Sequence, residues 1–238
     1  MLGISAAVLL GLAIAAWVGR NVIRSVKDLN RAALQSAQGL EIQMPRMLLK
    51  EADAVGDAIL RAANTLREVK YLAHHDPLTG LANRTLFFEM TAKQAAIAAR
   101  HGSGFAIVAL DLDGFKLVND HHGHDAGDAV LKEAARRIEK SIRSGDVAAR
   151  LGGDEFMVLL NHADSDYLPL ATGRIVQALS QPYAGVKVAV SASAGVSCFP
   201  LDGQDVGALM KSADNALYSA KTQGKNRAVF AQQLKSAT

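Results

Sequence analysis

The spacing of apolar positions changes character along the chain, and each change marks a different kind of element. Residues 1–19, MLGISAAVLLGLAIAAWVG, carry no charge, and the run is just long enough for a membrane-spanning helix. Arg20, Arg24 and Lys27 follow it, which under the positive-inside rule puts everything downstream in the cytoplasm. A secretory signal peptide has a basic residue before its apolar run, and none stands here. The expectation is a single-pass protein of the inner membrane, with a buried helix as the competing reading.

From Val22 the pattern becomes that of an amphipathic helix, with Val22, Val26, Leu29, Ala33 and Leu40 mostly four and three apart. A connector, GLEIQMPRMLLKEAD, carries Gly39 to stop the helix and Pro45 to keep the chain extended. Val55, Ile59, Ala62, Leu66, Val69 and Ala73 then repeat in steps of four and three, the seam of a left-handed coiled coil. Two seamed helices joined by an extended connector resemble a HAMP signalling module over residues 20–70. Ser25 stands near that family's usual proline, and EADAVG replaces its acidic DEIG-like stretch. A plain dimerising stalk is the alternative, and either form implies a parallel homodimer.

Residues 71–238 alternate between the two periods. Helices are expected over Thr85–His101, Ala126–Arg143, Asp166–Gln181 and Val206–Thr222. Strands are expected over Phe105–Leu112, Val147–Leu151, Glu155–Leu160, Val186–Val196 and Arg227–Ala231. This order predicts an α+β domain, a mostly antiparallel central sheet with helices packed against it. Gly152-Gly153 is the expected hairpin turn, because glycine takes positive φ freely.

Composition narrows the chemistry. Half the residues are hydrophobic, enough for a core, while the net charge is only +3 and aromatics make up 5%. No basic, aromatic surface for nucleic acid stands out. The single cysteine, Cys198, excludes an internal disulfide and reads as a core thiol. His74, His75, His121 and His122 are adjacent pairs whose side chains point apart, a poor basis for a zinc site.

Carboxylates carry the functional signal. The strand FAIVALDLD ends in Asp111 and Asp113, and RLGGDEFMVLL places Asp154 and Glu155 at a hairpin. Asp and Glu are poor strand residues and costly to bury alone. If the two strands are neighbours, three carboxylates meet at one sheet edge, an all-oxygen donor set suited to a hard divalent cation. DLDGFKLVND is not an EF-hand loop, since its glycine is at position four rather than six. A solvated acidic turn is the remaining alternative.

GGDEF, with DLDGFKLVNDHHGHDAGD before it, ADNALYSAKTQGKNR after it and DPLTGLANR at the start, resembles the catalytic domain of diguanylate cyclases. That resemblance implies a fold like the palm of nucleotide polymerases and class III nucleotidyl cyclases. It also implies the condensation of two GTP into cyclic di-GMP with release of two pyrophosphates, in a dimer holding one GTP per domain. Asp111, Asp154 and the Leu112 carbonyl would hold Mg2+, or Mn2+, with Glu155 assisting. Asp154 would accept the ribose 3′-hydroxyl proton, and Glu155 and Lys116 complete the catalytic set. Asn119 and Asp128 would read guanine, with His124 and Phe115 in the same region. Gly152 and Gly153 would let the nucleotide approach the backbone, and Lys116, Lys221 and Lys225 would neutralise phosphates. Where the family often has arginine, Lys225 keeps the charge but loses the bidentate fork.

The resemblance implies a second site as well. RSGD, five residues before GGDEF, matches the family's inhibitory product site, with Arg143 and Asp146 binding cyclic di-GMP and Arg174 adding a further arginine. A helix-ending arginine followed by a turn aspartate is the alternative for RSGD. For the whole protein the alternative is a non-catalytic receptor for GTP or cyclic di-GMP that signals through protein partners.

Overall fold

The computed structural model describes residues 16–24, 27–28, 50–162 and 166–235. Contacts divide the chain into two units, Met1–Tyr71 and Leu72–Thr238. In the first, residues 16–24 and 27–28 are helical (α1), and a long helix, α2 (Lys50–His74), begins. Val55, Leu66 and Val69 of its expected seam are exposed in the single chain.

Among the described residues no helix is long and apolar enough to cross a membrane. The single-pass, inner-membrane assignment is therefore withdrawn. Residues 1–15 of the expected span, and 29–49 of the expected first seamed helix and connector, lie outside the described residues.

The second unit runs α3 (Arg84–His101), β1 (Phe105–Asp113), α4 (Phe115–His122), α5 (His124–Ser141), β2 (Val147–Gly152), β3 (Glu155–Leu160), α6 (Tyr167–Leu179), β4 (Ser191–Phe199), α7 (Val206–Thr222), β5 (Ala228–Phe230) and α8 (Ala231–Lys235). The five strands form one sheet in the order β2-β3-β1-β4-β5. Every pairing is antiparallel except β4 with β5.

The central strand shows why the sheet is sealed on both faces. Ala106, Val108, Leu110 and Leu112 of β1 pack with residues of α4, α5 and α6, while Phe105, Ile107 and Ala109 pack with residues of α3 and α7. A period of two with apolar residues in both phases is the pattern of a doubly covered strand. A Cβ on Gly195 of β4 would collide with Ala213 O and Leu217 N, so α7 lies directly on the sheet backbone. Cys198 is a core thiol, its pKa pushed up to about 11 by burial and then by Asp202.

Three local expectations are corrected. The strand expected over Val186–Val196 is β4, Ser191–Phe199, because pairing with β1 stops at Asp113↔Ser191. There Gly114, at φ +83°, turns β1 into α4, leaving the alternating VKVAV stretch no strand to pair with. FKLVNDHH, to which the expected order assigns no element, is helix α4, pinned by buried Phe115 and Val118, and His124 opens α5. The hairpin turn is Gly153-Asp154 rather than Gly152-Gly153, because Gly152 pairs with Glu155 after a bulge that follows Arg150. Gly153 takes φ +53° at the first corner, and Asp154 fills the second.

Candidate active site

The β1 register sets the site. Asp111 lies opposite Glu155 on one side and Ser193 on the other, at the end of the buried run. Leu112 N donates to Asp154 O at 3.3 Å, drawing the hairpin tip onto the end of β1. Burial, and then the charge of Asp111, hold the Asp154 carboxyl above its usual range, with Lys221 and Arg150 only partly offsetting them. Two like charges held this close are short of positive charge.

Lys221 supplies some of it, its Nζ standing 2.7 Å from Asp111 Oδ2. Asp111 and Asp154 are thus a hard-oxygen pair already attracting a cation, and that donor set fits Mg2+. Glu155 is exposed and lines a cavity of about 290 Å³ with Arg84, Asp214, Tyr218 and Lys221. Among the described residues no three side chains of His, Cys, Asp or Glu form a ready metal cluster.

On the other face α4 and α5 converge. A Cβ on Gly127 would fall on Asn119 Oδ1, so the absent side chain makes the seat for the Asn119 amide. That Oδ1 is buried without a hydrogen-bond partner, and exposed Asp128 follows Gly127. Phe115 is core, its ring packed beneath Gly127, while His124 and Lys116 stay exposed. Lys225, at φ +61°, sits just past the end of α7, four residues beyond Lys221.

The RSGD residues gather at the C-terminal end of α5. Asp146 accepts from Arg143 N and Asn161 N, both at 3.0 Å, and so closes the turn. Arg143 lies 3.8 Å over the Tyr167 ring, and Arg174 Nε donates to Ser141 O at 2.8 Å. Arg143, Ser144 and Asp146 line a cavity of about 230 Å³.

Sequence reasoning missed Arg150. Its Nη1 pairs with Asp76 at 3.0 Å, and its Nε and Nη2 donate to Gly153 O at 3.0 and 2.8 Å. Asp76 also accepts from Thr79 N and Oγ1, so DPLT is bound to the hairpin turn. The available signal was an arginine inside an otherwise apolar strand. Asp113, two residues beyond Asp111 on the same face of β1, is buried and bonded to the Ser191 and Ser193 hydroxyls.

The model of the diguanylate cyclase GGDEF domain matches residues 73–227. The bifunctional diguanylate cyclase/cyclic di-GMP phosphodiesterase MucR of Pseudomonas aeruginosa is 42% identical over 170 residues, 71% of this chain and 25% of MucR. Diguanylate cyclase TpbB of the same species is 38% identical over 164 residues, 64% of this chain and 36% of TpbB. This chain thus spans only a minor part of either relative. Among solved structures, the coiled coil and GGDEF domain of DgcB from Caulobacter crescentus, in complex with c-di-GMP, has a TM-score of 0.69 at 28% identity. That similarity covers 76% of this chain and 97% of the DgcB chain. The chain belongs to the diguanylate cyclase GGDEF-domain family.

Proposed function

We propose that the protein is a diguanylate cyclase that joins two GTP into cyclic di-GMP in a homodimer, one GTP per domain. The observation that carries this reading is the Asp111–Asp154 pair. Burial and like charge hold Asp154 above its usual range at the tip of a hairpin, an arrangement with no use in holding the fold together.

In each half-reaction the ribose 3′-oxygen of one GTP bonds to the α-phosphorus of the other. The α–β phosphoanhydride bond breaks, and pyrophosphate leaves. Asp154 accepts the 3′-hydroxyl proton, and a raised carboxyl is better matched to that task than an ordinary one. Asp111, Asp154 and the Leu112 carbonyl would hold Mg2+, with Glu155 beside them, and the ion would polarise the phosphate oxygens. Lys116, Lys221 and Lys225 neutralise phosphate charge. Asn119 and Asp128 bind the guanine edge, and the buried Asn119 Oδ1 has no hydrogen-bond partner within the chain. Gly152 and Gly153 leave room at the backbone, and His124 and Phe115 shape the guanine side. Arg143, Asp146 and Arg174 bind the product and slow further synthesis.

Incubation with GTP and Mg2+, with identification of the product, is the test. Cyclic di-GMP with two pyrophosphates per product is the expected result. Tight nucleotide binding without turnover would instead make the protein a receptor.

A further inference from the structure

Lys225 at φ +61° and Asn226 at φ +48° are the only non-glycine residues with positive φ among the described residues, and they are consecutive. Side chains other than glycine rarely occupy that region, and pairs of them persist only where surrounding contacts hold them. Here the contacts are specific. Lys225 N donates to Ala220 O at 3.0 Å, finishing α7. Ser180 Oγ donates to Asn226 Oδ1 at 2.6 Å, and Asn226 N donates to Asp113 Oδ2 at 3.2 Å.

Asp113 is 7% exposed, and its carboxylate accepts from both Ser191 Oγ and Ser193 Oγ at 3.0 Å. A buried carboxylate is tolerated when donors satisfy it, and these donors come from β4 and from the turn after α7. It therefore ties the strand that carries Asp111 to the segment that carries Lys225.

We propose that Asp113 is a positioning residue for triphosphate binding. By fixing the Asn226 N–H it holds the Lys225–Asn226 turn left-handed, which sets the direction in which Lys225 leaves the backbone. It acts through Lys225 and is not a metal ligand. The proposal rests on the reading above that Lys225 meets nucleotide phosphates.

The test is calorimetric binding of a non-hydrolysable GTP analogue and of GMP, with Mg2+ present. Asp113→Asn keeps the shape but turns an amide N–H2 or a weaker acceptor toward the three donors. Affinity for the analogue should fall about 10-fold, the scale of one charge-assisted contact, while GMP affinity stays within about 2-fold. In a Lys225→Ala background Asp113→Asn should cost less than about 2-fold further, because coupled residues are not additive. Equal losses for GMP and the analogue, or additive losses in the double variant, would overturn the proposal. If Asp113→Asn does not fold, Asn226→Pro serves instead, since it removes the same N–H and the positive φ from a surface turn. It should reproduce the selective loss, and full affinity for the analogue would refute the idea. A wild-type protein that binds neither nucleotide overturns the functional reading itself. Wild-type binding with an unaffected Asp113→Asn overturns this proposal alone.

Discussion

Asp154 pays for its place in stability. Burial and the Asp111 charge raise its carboxyl, so folding favours the protonated form. That contribution is complete below the ordinary carboxylate value and is lost as pH rises through the raised one. Asp154→Asn should therefore melt higher than wild type at neutral pH without divalent ions, and match it in acid. Its turnover should nevertheless fall at least ~100-fold, as on losing a general base. Thermal melts at two pH values and initial rates check both halves. Near-normal turnover in the folded variant would remove Asp154 from the chemistry.

Gly127 gives a second single-residue expectation. Ala is a better helix former, but its Cβ would displace the Asn119 side chain. Gly127→Ala should keep its fold and raise KM for GTP about 10-fold, with a smaller change for ATP, the effect of a displaced base reader. Unchanged GTP-over-ATP preference would show that Asn119 does not read the base. The carboxylates were legible in the sequence because charge in an apolar strand is conspicuous. The fit of Asn119 against Gly127 was not, since it depends on the crossing of α4 and α5.

At the scale of elements, the hairpin is held by its own strand. Arg150 binds the Gly153 carbonyl and Asp76, with both ionic side chains largely buried. Arg150→Ala should cost about 2 kcal/mol, the range for hydrogen bonds to charged groups, and lower kcat by loosening Asp154. Arg150→Lys, without the fork, should fall between. Burial raises the Asp76 carboxyl, but the Thr79 and Arg150 bonds outweigh it and leave it lowered. The stabilisation from Asp76 is present above the ordinary carboxylate value and lost as pH falls through the lowered one. The variant should therefore lose part of the wild type's sensitivity to acid, read from melts across pH 2–5 (about the carboxylate range). Equal pH dependence would assign the loss to packing alone.

The end of α5 behaves similarly. Asp146 is already a turn acceptor, and Arg143 already rests on Tyr167. If cyclic di-GMP binds there, Arg143→Ala should weaken inhibition roughly 10- to 150-fold, measured as initial rate against added cyclic di-GMP. Coincident inhibition curves would leave RSGD as a helix end and a turn. The order of the five strands and of α3, α5, α6 and α7 could be read from periodicity, whereas α4 and α8 could not. The β4 boundary could not, since VKVAV alternates like a strand, and only the end of β1 shows that no partner remains.

For the whole molecule, the proposed reaction, with one GTP per domain, would make pairing a requirement. The α2 seam presents exposed Val55, Leu66 and Val69 in the single chain. Ile59→Asp with Leu66→Asp should give a monomer whose specific activity depends strongly on protein concentration. Sedimentation and a dilution series measure this, and full activity at nanomolar concentration would mean that another surface pairs the domains. Of the whole, the GGDEF domain was legible because its motifs stand in order, whereas no helix among the described residues supports the membrane span read from the N-terminal run.

The seat of α7 on Gly195 also bears on how this domain can diverge. Any larger residue at that position drives into the backbone of the helix, where there is no flexible side chain to yield. No compensating side-chain change on α7 can make room, because the colliding atoms are main-chain atoms. Loops and surface positions can change by single steps, but this contact offers no such path. The spacing between Asp111 and Lys221 is thereby inherited as a unit, and variation in activity has to arise around it.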